Sequence, residues 1–466
     1  MKRRDFIKSS AALIASSGPV LGSGQGANDR IRVGLIGVGG RGLYELSVCQ
    51  NNSGCEVVAV ADVYRPLADM AVQRLGNKAT GYGDFRRILD RKDIDAVFVS
   101  TPDHWHALAA IMACQAGKDV YCEKPLTHTI QEGRRMVEAA RKYNRVVQTG
   151  SQQRSAPHFQ KVVRLIQGGY IGKVTMVECW NVMNDTPEGI GNPQDTDPPE
   201  GLDWDLYLGP APKVPYNRNR FIWCYRWFWD YSGGMMTDWG AHHMDVVQWA
   251  MGMDAPKAAN TVGGNFVLKD NRQTPDTFMA NFEYPGFVAR YTVRNGNRLP
   301  LEGRDYGMMF YGSLGTLVVD RSSYAVLPEM RPEVYRTDID QVENLLSGGA
   351  GIPPGSSIRP TKPNRAVAGA RKPLCVAEEE TGISIDPSSQ IAHVQNFFDC
   401  VRSRQKPVAD VEIGHRSISA CHLGVIAYKV GRQVHWNAQE ERIIGDDEAQ
   451  KLVSKQYRAP WLLPTL

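Results

Sequence analysis

A chain that runs from a β-branched segment straight into a glycine-dense turn has few folds open to it. Residues Ile31 to Ile36 form such a segment, and Gly37-Val38-Gly39-Gly40-Arg41-Gly42 follows at once. Strand, glycine turn and helix start, in that order, are the parts of a dinucleotide-binding βα unit. Gly37 admits the tight turn, Gly39 lets backbone approach a pyrophosphate, and Gly42 lets helix and strand pack closely. The helix N-terminus then favours the phosphates. The motif is weak by itself, and its context strengthens it. A second run, Glu56 to Ala61, ends at Asp62, 25 positions beyond Gly37. That is close to the roughly 20 expected of an acid that holds a ribose. An acid there accepts hydrogen bonds from ribose hydroxyls and repels a 2′-phosphate. NAD is therefore expected, with Arg65 nearby keeping NADP open.

The alternation continues. Asp95 to Ser100 reads as a strand, Thr101-Pro102 and His106 follow it, and Ala107 to Ala116 reads as a helix stopped by Gly117. Asp119 to Glu123 is the next strand and ends in Lys124-Pro125; Ile130 to Tyr143 is an amphipathic helix, and Arg145 to Thr149 a further strand. Ligands of such sheets sit beyond the carboxyl ends of the strands. Thr101, Pro102, His106, Glu123 and Lys124 fall there, and with the glycine turn and Asp62 they are the expected cofactor-binding residues. Lys124 has a plain reading as a solvated cation in a turn. It also lies where a nicotinamide would sit. A free lysine, with a pKa of about 10.4, is a poor base at neutral pH. Partial burial and a positive ring beside it would lower that value, and the amine could then take the proton of a substrate hydroxyl.

A second stretch with chemistry in it is Gly233 to Asp245, a glycine turn that feeds an apolar segment, Val246 to Met251. At about 100° per helical residue, Asp238 and His242 lie about 40° apart on one face. Asp245 falls near the same line and His243 points away. A carboxylate one turn below an imidazole fixes its tautomer and basicity. The same spacing also suits a satisfied core histidine or half of a metal site, though no third ligand is evident nearby.

Bulk properties narrow the rest. At 466 residues, with 42% hydrophobic and 22% charged residues, the chain is long enough for two well-buried soluble domains. The net charge of +4, with no basic run beyond the N-terminus, disfavours nucleic acid as a partner. Lys2-Arg3-Arg4-Asp5-Phe6-Ile7-Lys8 is a twin-arginine pattern, and the stretch that follows, Ala11 to Leu21, is too short and too rich in Ser and Gly for a membrane span. Export to the periplasm by the twin-arginine route is expected. Nine cysteines without a Cys-x-x-Cys pair point to buried thiols, Cys114 and Cys400 among them, rather than a disulfide framework.

Three features in combination carry a resemblance. They are the glycine turn, the set Thr101-Pro102, His106, Gly117-Lys118 and Glu123-Lys124-Pro125, and Gly234, Asp238, Gly240, His242 and Asp245. The chain, from about Ile31 onward, resembles the Gfo/Idh/MocA oxidoreductases. The resemblance implies an α/β fold: a Rossmann dinucleotide-binding domain, then an α/β domain on a large, open, mainly antiparallel sheet. The expected divisions are a signal and linker over 1–29, the NAD(P)-binding domain over 30–150, and a substrate-binding and oligomerisation domain over 151–466. It also implies Lys124, Asp238 and His242 as the catalytic set without a metal, a tightly held nicotinamide, a cis Lys124–Pro125 peptide, and a homodimer or homotetramer. The expected activity is hydride transfer with a sugar, sugar derivative or polyol, the small-molecule partner. Lys124 would act as base, His242 as relay and Asp238 as the group that orients them. A redox-neutral glycosidase or lyase working through a 3-keto sugar is the alternative, although relatives of that kind lack this lysine.

Beyond the first domain, Gln153 and Arg154 follow the last Rossmann strand and could bind substrate hydroxyls. Phe221 to Tyr231 is unusually aromatic, so one or two of its rings should line a sugar cleft and Arg226 could grip hydroxyls or a carboxylate. Thr277–Tyr284 and Phe287–Val293 alternate around Pro285-Gly286, a hairpin signal; Met308–Gly312 and Thr316–Val319 read as further strands. His158–Gly169, His393–Ser403 and Ile418–Val430 read as helices, and Leu346–Pro387 as loop. His393, His415 and His422 read as structural.

Overall fold

The computed structural model describes residues 30–330, 373–383 and 387–466. Its first part, up to Thr149, folds as a six-stranded parallel sheet. Its strands are β1 (Ile31–Ile36), β2 (Cys55–Ala61), β3 (Thr80–Tyr82), β4 (Ala96–Val99), β5 (Asp119–Cys122) and β6 (Val147–Thr149), in the order β3-β2-β1-β4-β5-β6. Helices α1 (Gly40–Gln50), α2 (Arg65–Arg74), α3 (Arg86–Asp90), α4 (Asp103–Gln115) and α5 (Ile130–Lys142) connect them, and α6 (Pro157–Gln167), α7 (Trp204–Leu208) and α8 (Met235–Asp238) follow. β4 is buried at every position, as a central parallel strand covered on both faces must be. The start of α5 is set by a capping box: Thr129 accepts from the Glu132 N–H, and the Glu132 carboxylate reaches back.

A ten-stranded mixed sheet follows. It contains β7 (Val174–Val182), β8 (Ala258–Gly264), β9 (Thr277–Tyr284), β10 (Phe287–Arg294), β11 (Tyr306–Gly312), β12 (Gly315–Val319), β13 (Tyr324–Pro328), β14 (Glu378–Glu380), β15 (Val434–Asn437) and β16 (Arg442–Ile444). The order is β14-β13-β12-β11-β7-β10-β9-β8-β15-β16, and only β7 and β10 pair in parallel. The expected hairpin at Pro285-Gly286 is present, with Phe287 opposite Tyr284. β9 alternates buried and open positions along its length, so one sheet face packs against helices. Residues of the other face, Val262, Met279, Val288 and Leu327, stand exposed.

Two helices from the C-terminal half hold the assembly together. The helix Val411–Val430 packs on β8 and on the helix α9 (Gly240–Met251), and also against α5. The helix Ser388–Ser403 returns to the first sheet, where Val394, Phe397 and Phe398 join a core with Val33, Phe98 and Tyr121. Several elements exceed the expected set. β8 is built from small residues and a Gly-Gly pair, and takes strand form by pairing with β9. β14 lies inside Leu346–Pro387, read as loop; three glutamates carry no strand preference, and pairing with Tyr324–Val326 decides their form. Most of the rest of that stretch lies outside the described residues. The helix expected from Ala107 starts at Asp103. No helix among the described residues is long and apolar enough to cross a membrane, and the expected signal over 1–29 lies outside them.

Candidate active site

The carboxyl ends of β1, β2, β4 and β5 open onto a cavity of about 380 Å³. Its floor is the glycine turn with Asp62, Ser100, Thr101 and Pro102. Its far wall is Lys124, Asp238, His242, Trp239, Arg226 and Arg321. The short helix α8 (Met235–Asp238) brings Asp238 to the wall and α9 brings His242, with Gly234 at φ +64° starting the turn into α8. A side chain at Gly234 would meet Thr274 at 2.7 Å, so glycine is required there for conformation and space alike.

At the wall, Lys124 Nζ donates to Asp238 Oδ1 at 2.7 Å and to the Asp238 carbonyl at 3.1 Å. Arg226 Nε lies 3.4 Å from Asp238 Oδ2. Burial works to raise the Asp238 carboxyl, but the Lys124 and Arg226 charges outweigh it and bring it down to about 2. Asp238 is thus a fixed carboxylate between two cations. The His242 imidazole makes no hydrogen bond to protein among the described residues. Burial, then the charges of Arg321 and Lys124, push it well below the usual histidine range. It is neutral at physiological pH, and its ring nitrogens can hydrogen-bond to solvent or substrate. His243 is turned away, its Nε2 2.8 Å from Asn181 Oδ1. The Lys124–Pro125 peptide is cis.

At the floor, α1 begins with Gly39 at its N-cap and no side-chain cap, so its first N–H groups face the cavity unshielded. A Cβ at Gly39 or Gly40 would meet nothing within 4 Å, which leaves room for a ligand against the backbone. Ser100 Oγ and Thr101 Oγ1 are buried there without a partner among the described residues. Asp62 accepts from the N–H groups of Val38 at 2.8 Å and Tyr64 at 2.9 Å and still lines the cavity. Free helix N–H groups, orphaned hydroxyls and an acid at the end of β2 fit a dinucleotide: pyrophosphate on the turn, ribose hydroxyls at Asp62. Arg41 is clamped by Glu123 and Glu45, at 2.8 and 2.9 Å.

Several expected site residues stand elsewhere. Val38 is buried, and Asp62 uses its N–H. Gly42 acts through packing, since a Cβ there would lie 2.0 Å from the Gly37 carbonyl oxygen. His106 faces inward because α4 starts early; its ring nitrogens lie 2.7 Å from the Pro125 carbonyl and 2.8 Å from that of Thr101. Arg154 is buried in an ion pair, its Nε 2.9 Å from both Asp245 oxygens. Gln153 is buried outside the cavity, and its neighbour Gln152 lines it instead. Asp238 makes no hydrogen bond to His242; the break at Trp239 between α8 and α9 leaves its carboxylate to Lys124. Of the aromatic stretch, Phe221, Trp223 and Tyr225 line the cavity, while Trp227, Phe228 and Tyr231 are core. Asp103 holds Tyr225 in place, accepting from its hydroxyl at 3.2 Å and from Ser232 Oγ at 2.5 Å. Arg321 and Trp239 carried no sequence signal: Arg321 stands between β12 and β13, in no motif.

A Rossmann sheet whose glycine turn shares one cavity with a second, mixed-sheet unit defines a two-part dinucleotide-binding protein. The chain belongs to the Gfo/Idh/MocA oxidoreductase family: residues 31–151 match its NAD-binding Rossmann fold, and residues 164–277 and 378–463 its C-terminal alpha/beta domain. Inositol 2-dehydrogenase of Salmonella typhimurium is 34% identical over 149 residues, which cover 32% of this chain and 44% of that one. The chain therefore spans less than half the length of this curated relative. The oxidoreductase YrbE of Bacillus subtilis is 24% identical over 303 residues, 63% of this chain and 74% of that one. In fold, the chain resembles the WlbA dehydrogenase of Bordetella pertussis, solved with NADH and UDP-GlcNAcA (TM-score 0.60, 18% identity, 88% of this chain and 99% of that one). It also resembles scyllo-inositol dehydrogenase of Lactobacillus casei, solved with NAD(H) and scyllo-inositol (TM-score 0.59, 17% identity, 87% and 99%).

Proposed function

We propose that this protein is an NAD-dependent oxidoreductase acting at a hydroxyl or keto carbon of a sugar or polyol. One observation carries the reading: a lysine amine, held 2.7 Å from a half-buried carboxylate, shares a cavity with an unshielded helix N-terminus and a ribose-type acid. NAD, when bound, supplies the acceptor or donor of hydride. Lys124 takes the hydroxyl proton during oxidation or returns it during reduction. Asp238 holds the amine in place, and its ionised carboxylate offsets the charge when the amine is protonated. His242, neutral and on the same wall, orients the substrate oxygen and can relay its proton. Trp223, 70% exposed, and the half-buried Tyr225 offer ring faces to a sugar. Arg65 favours NAD over NADP by its position: it pairs with Asp69 at 2.7 Å outside the cavity.

Export by the twin-arginine route to the periplasm remains part of this proposal, supported by Arg3-Arg4 and the short apolar stretch after them. So does a homodimer or homotetramer, supported by the exposed Val262, Met279, Val288 and Leu327 on one open sheet face.

The test is Lys124→Ala, assayed by NADH formation on a sugar and polyol panel and by NAD binding. A loss of about 10²- to 10⁴-fold in kcat with NAD still bound is expected of a lost proton-transfer group. Unchanged turnover would sink the assignment. Release of an aglycone without net NADH would favour the redox-neutral alternative.

A further inference from the structure

The substrate end of the cavity has an unbalanced charge. Lys124, Arg226 and Arg321 bring three cations to it, and the carboxylate facing them is Asp238. Other acids nearby offset it only in part, Glu123 acting on Lys124 and Asp103 on Arg226. Glu123 and Glu45 are engaged with Arg41. Asp62 is held by two backbone N–H groups on the floor. Asp103 is buried behind Tyr225, hydrogen-bonded to it and to Ser232. His242, neutral at physiological pH, adds nothing of either sign.

Arg321 stands out among the cations. It lines the cavity, its guanidinium 4.7 Å above the Trp239 ring and 6.0 Å from that of Tyr306. Its side chain makes no ion pair or hydrogen bond among the described residues, and its Nε is buried without a partner. Trp239 and Tyr306 hold the guanidinium against their rings at the cavity wall. Arg226 is partly used: it donates to the Trp223 carbonyl and its Nε forms the long ion pair to Asp238, but that Nε makes no hydrogen bond among the described residues. The Arg321 charge reaches Asp238 across the cavity, but a half-buried guanidinium with no ion-pair partner among the described residues is costly to keep, and its planar fork suits a carboxylate or phosphate better than a neutral hydroxyl.

We infer that the sugar this cavity takes carries an oxyanion, a carboxylate or a phosphate ester, which Arg321 grips together with Arg226. The inference rests on the sugar-oxidoreductase reading and narrows its substrate class. Arg321 sets specificity and positions the ring, while Lys124 and Asp238 face the reacting carbon.

Matched panels test it: glucose with glucuronate and glucose 6-phosphate, galactose with galacturonate, and myo-inositol with its monophosphate, each with the NAD-loaded protein. One charged member should exceed its neutral counterpart in kcat/KM by about 10- to 100-fold, the range of a hydrogen bond to a charged group. Which charged member is preferred tells carboxylate from phosphate ester. Arg321→Gln should collapse that ratio towards one, mainly through KM, and Arg321→Lys, which keeps the charge, should restore part of it. A neutral sugar used as well as or better than both charged partners would overturn the inference while leaving the oxidoreductase reading intact. If nothing on the panel is oxidised, calorimetric titration of the same compounds decides separately. Oxyanion binding that Arg321→Gln abolishes upholds the charged-ligand inference against a failed redox reading, and absence of any such binding overturns it.

Discussion

At the scale of single residues, the site is organised by one ion pair. Lys124 and Asp238 are 114 positions apart and meet at 2.7 Å. Asp238→Asn removes the charge but keeps the shape, so Lys124 and Arg226 lose their shared anion. We expect kcat to fall by about 10²-fold or more with little change in NAD affinity, read from single-turnover rates and cofactor titration. An unchanged rate would mean that Lys124 is positioned by something else. Lys124 was legible from the sequence because a residue just after a parallel strand must lie at the ligand-binding edge. Asp238 and His242 were expected on one helix face; the break at Trp239 puts them on two helices that line one wall of the cavity, and their partners were not legible. Spacing along a helix says which side chains are neighbours in that helix; it cannot say that a lysine from another unit arrives to claim the carboxylate. Arg321 had no local pattern at all.

At the scale of elements, packing decides which polar residues are structural. Arg154 from the turn after β6, Asp245 from α9 and Ser417 from the helix Val411–Val430 form one buried cluster, with Ser417 Oγ 2.8 Å from Asp245 and the Arg154 guanidinium 4.9 Å from the Trp249 ring. Arg154→Ala would leave the Asp245 carboxylate buried and unpaired, a cost of about 3–5 kcal/mol. The expected outcome is a lower denaturant midpoint without a selective rise in KM; a rise in KM at unchanged stability would return Arg154 to the substrate. The glycine turn makes a second prediction at this scale. Gly42→Ala drives a methyl into the Gly37 carbonyl, 2.0 Å away, so α1 must shift off β1. NAD binding should weaken by about tenfold or more and stability fall by about 1–3 kcal/mol, measured by cofactor titration and thermal unfolding.

At the scale of the whole molecule, histidine burial sets a pH limit. The chain has ten histidines. Burial pushes His104, His243 and His422 down to about 3 and His393 down to about 4, and it also lowers His128, His158, His242 and His415. A depressed value means the folded state binds fewer protons than the unfolded chain once the pH drops below the unfolded value of about 6.5. Stability is therefore complete above that pH and is lost as pH falls towards 4, where the folded groups begin to titrate. The unfolding temperature should drop by at least about 10 °C between pH 7 and pH 5. Scanning fluorimetry across that range checks it, and a flat profile would contradict neutral burial of these rings. His393, His415 and His422, read as structural, are each buried and hydrogen-bonded, to the Thr149 carbonyl, Glu441 and the Thr127 carbonyl; His106 was misplaced because the helix start at Asp103 carries no side-chain cap to mark it.

What the sequence determined by itself is the local order of the chain: strand, glycine turn and helix, an acid at the end of β2, a lysine at the end of β5, the hairpin at Pro285-Gly286. Each follows from backbone preference, periodicity and the steric needs of a turn, which act over a few residues. What only the tertiary structure decided is the pairing of charges and the closing of the cavity. Asp238 turns to Lys124, Arg154 withdraws to Asp245, and Arg321 arrives from between β12 and β13 with no ion-pair partner among the described residues. β14 exists only through its partner strand. These depend on which surfaces meet when two sheets pack around shared helices, and burial then requires most charges to find a partner and leaves the exceptions facing the site.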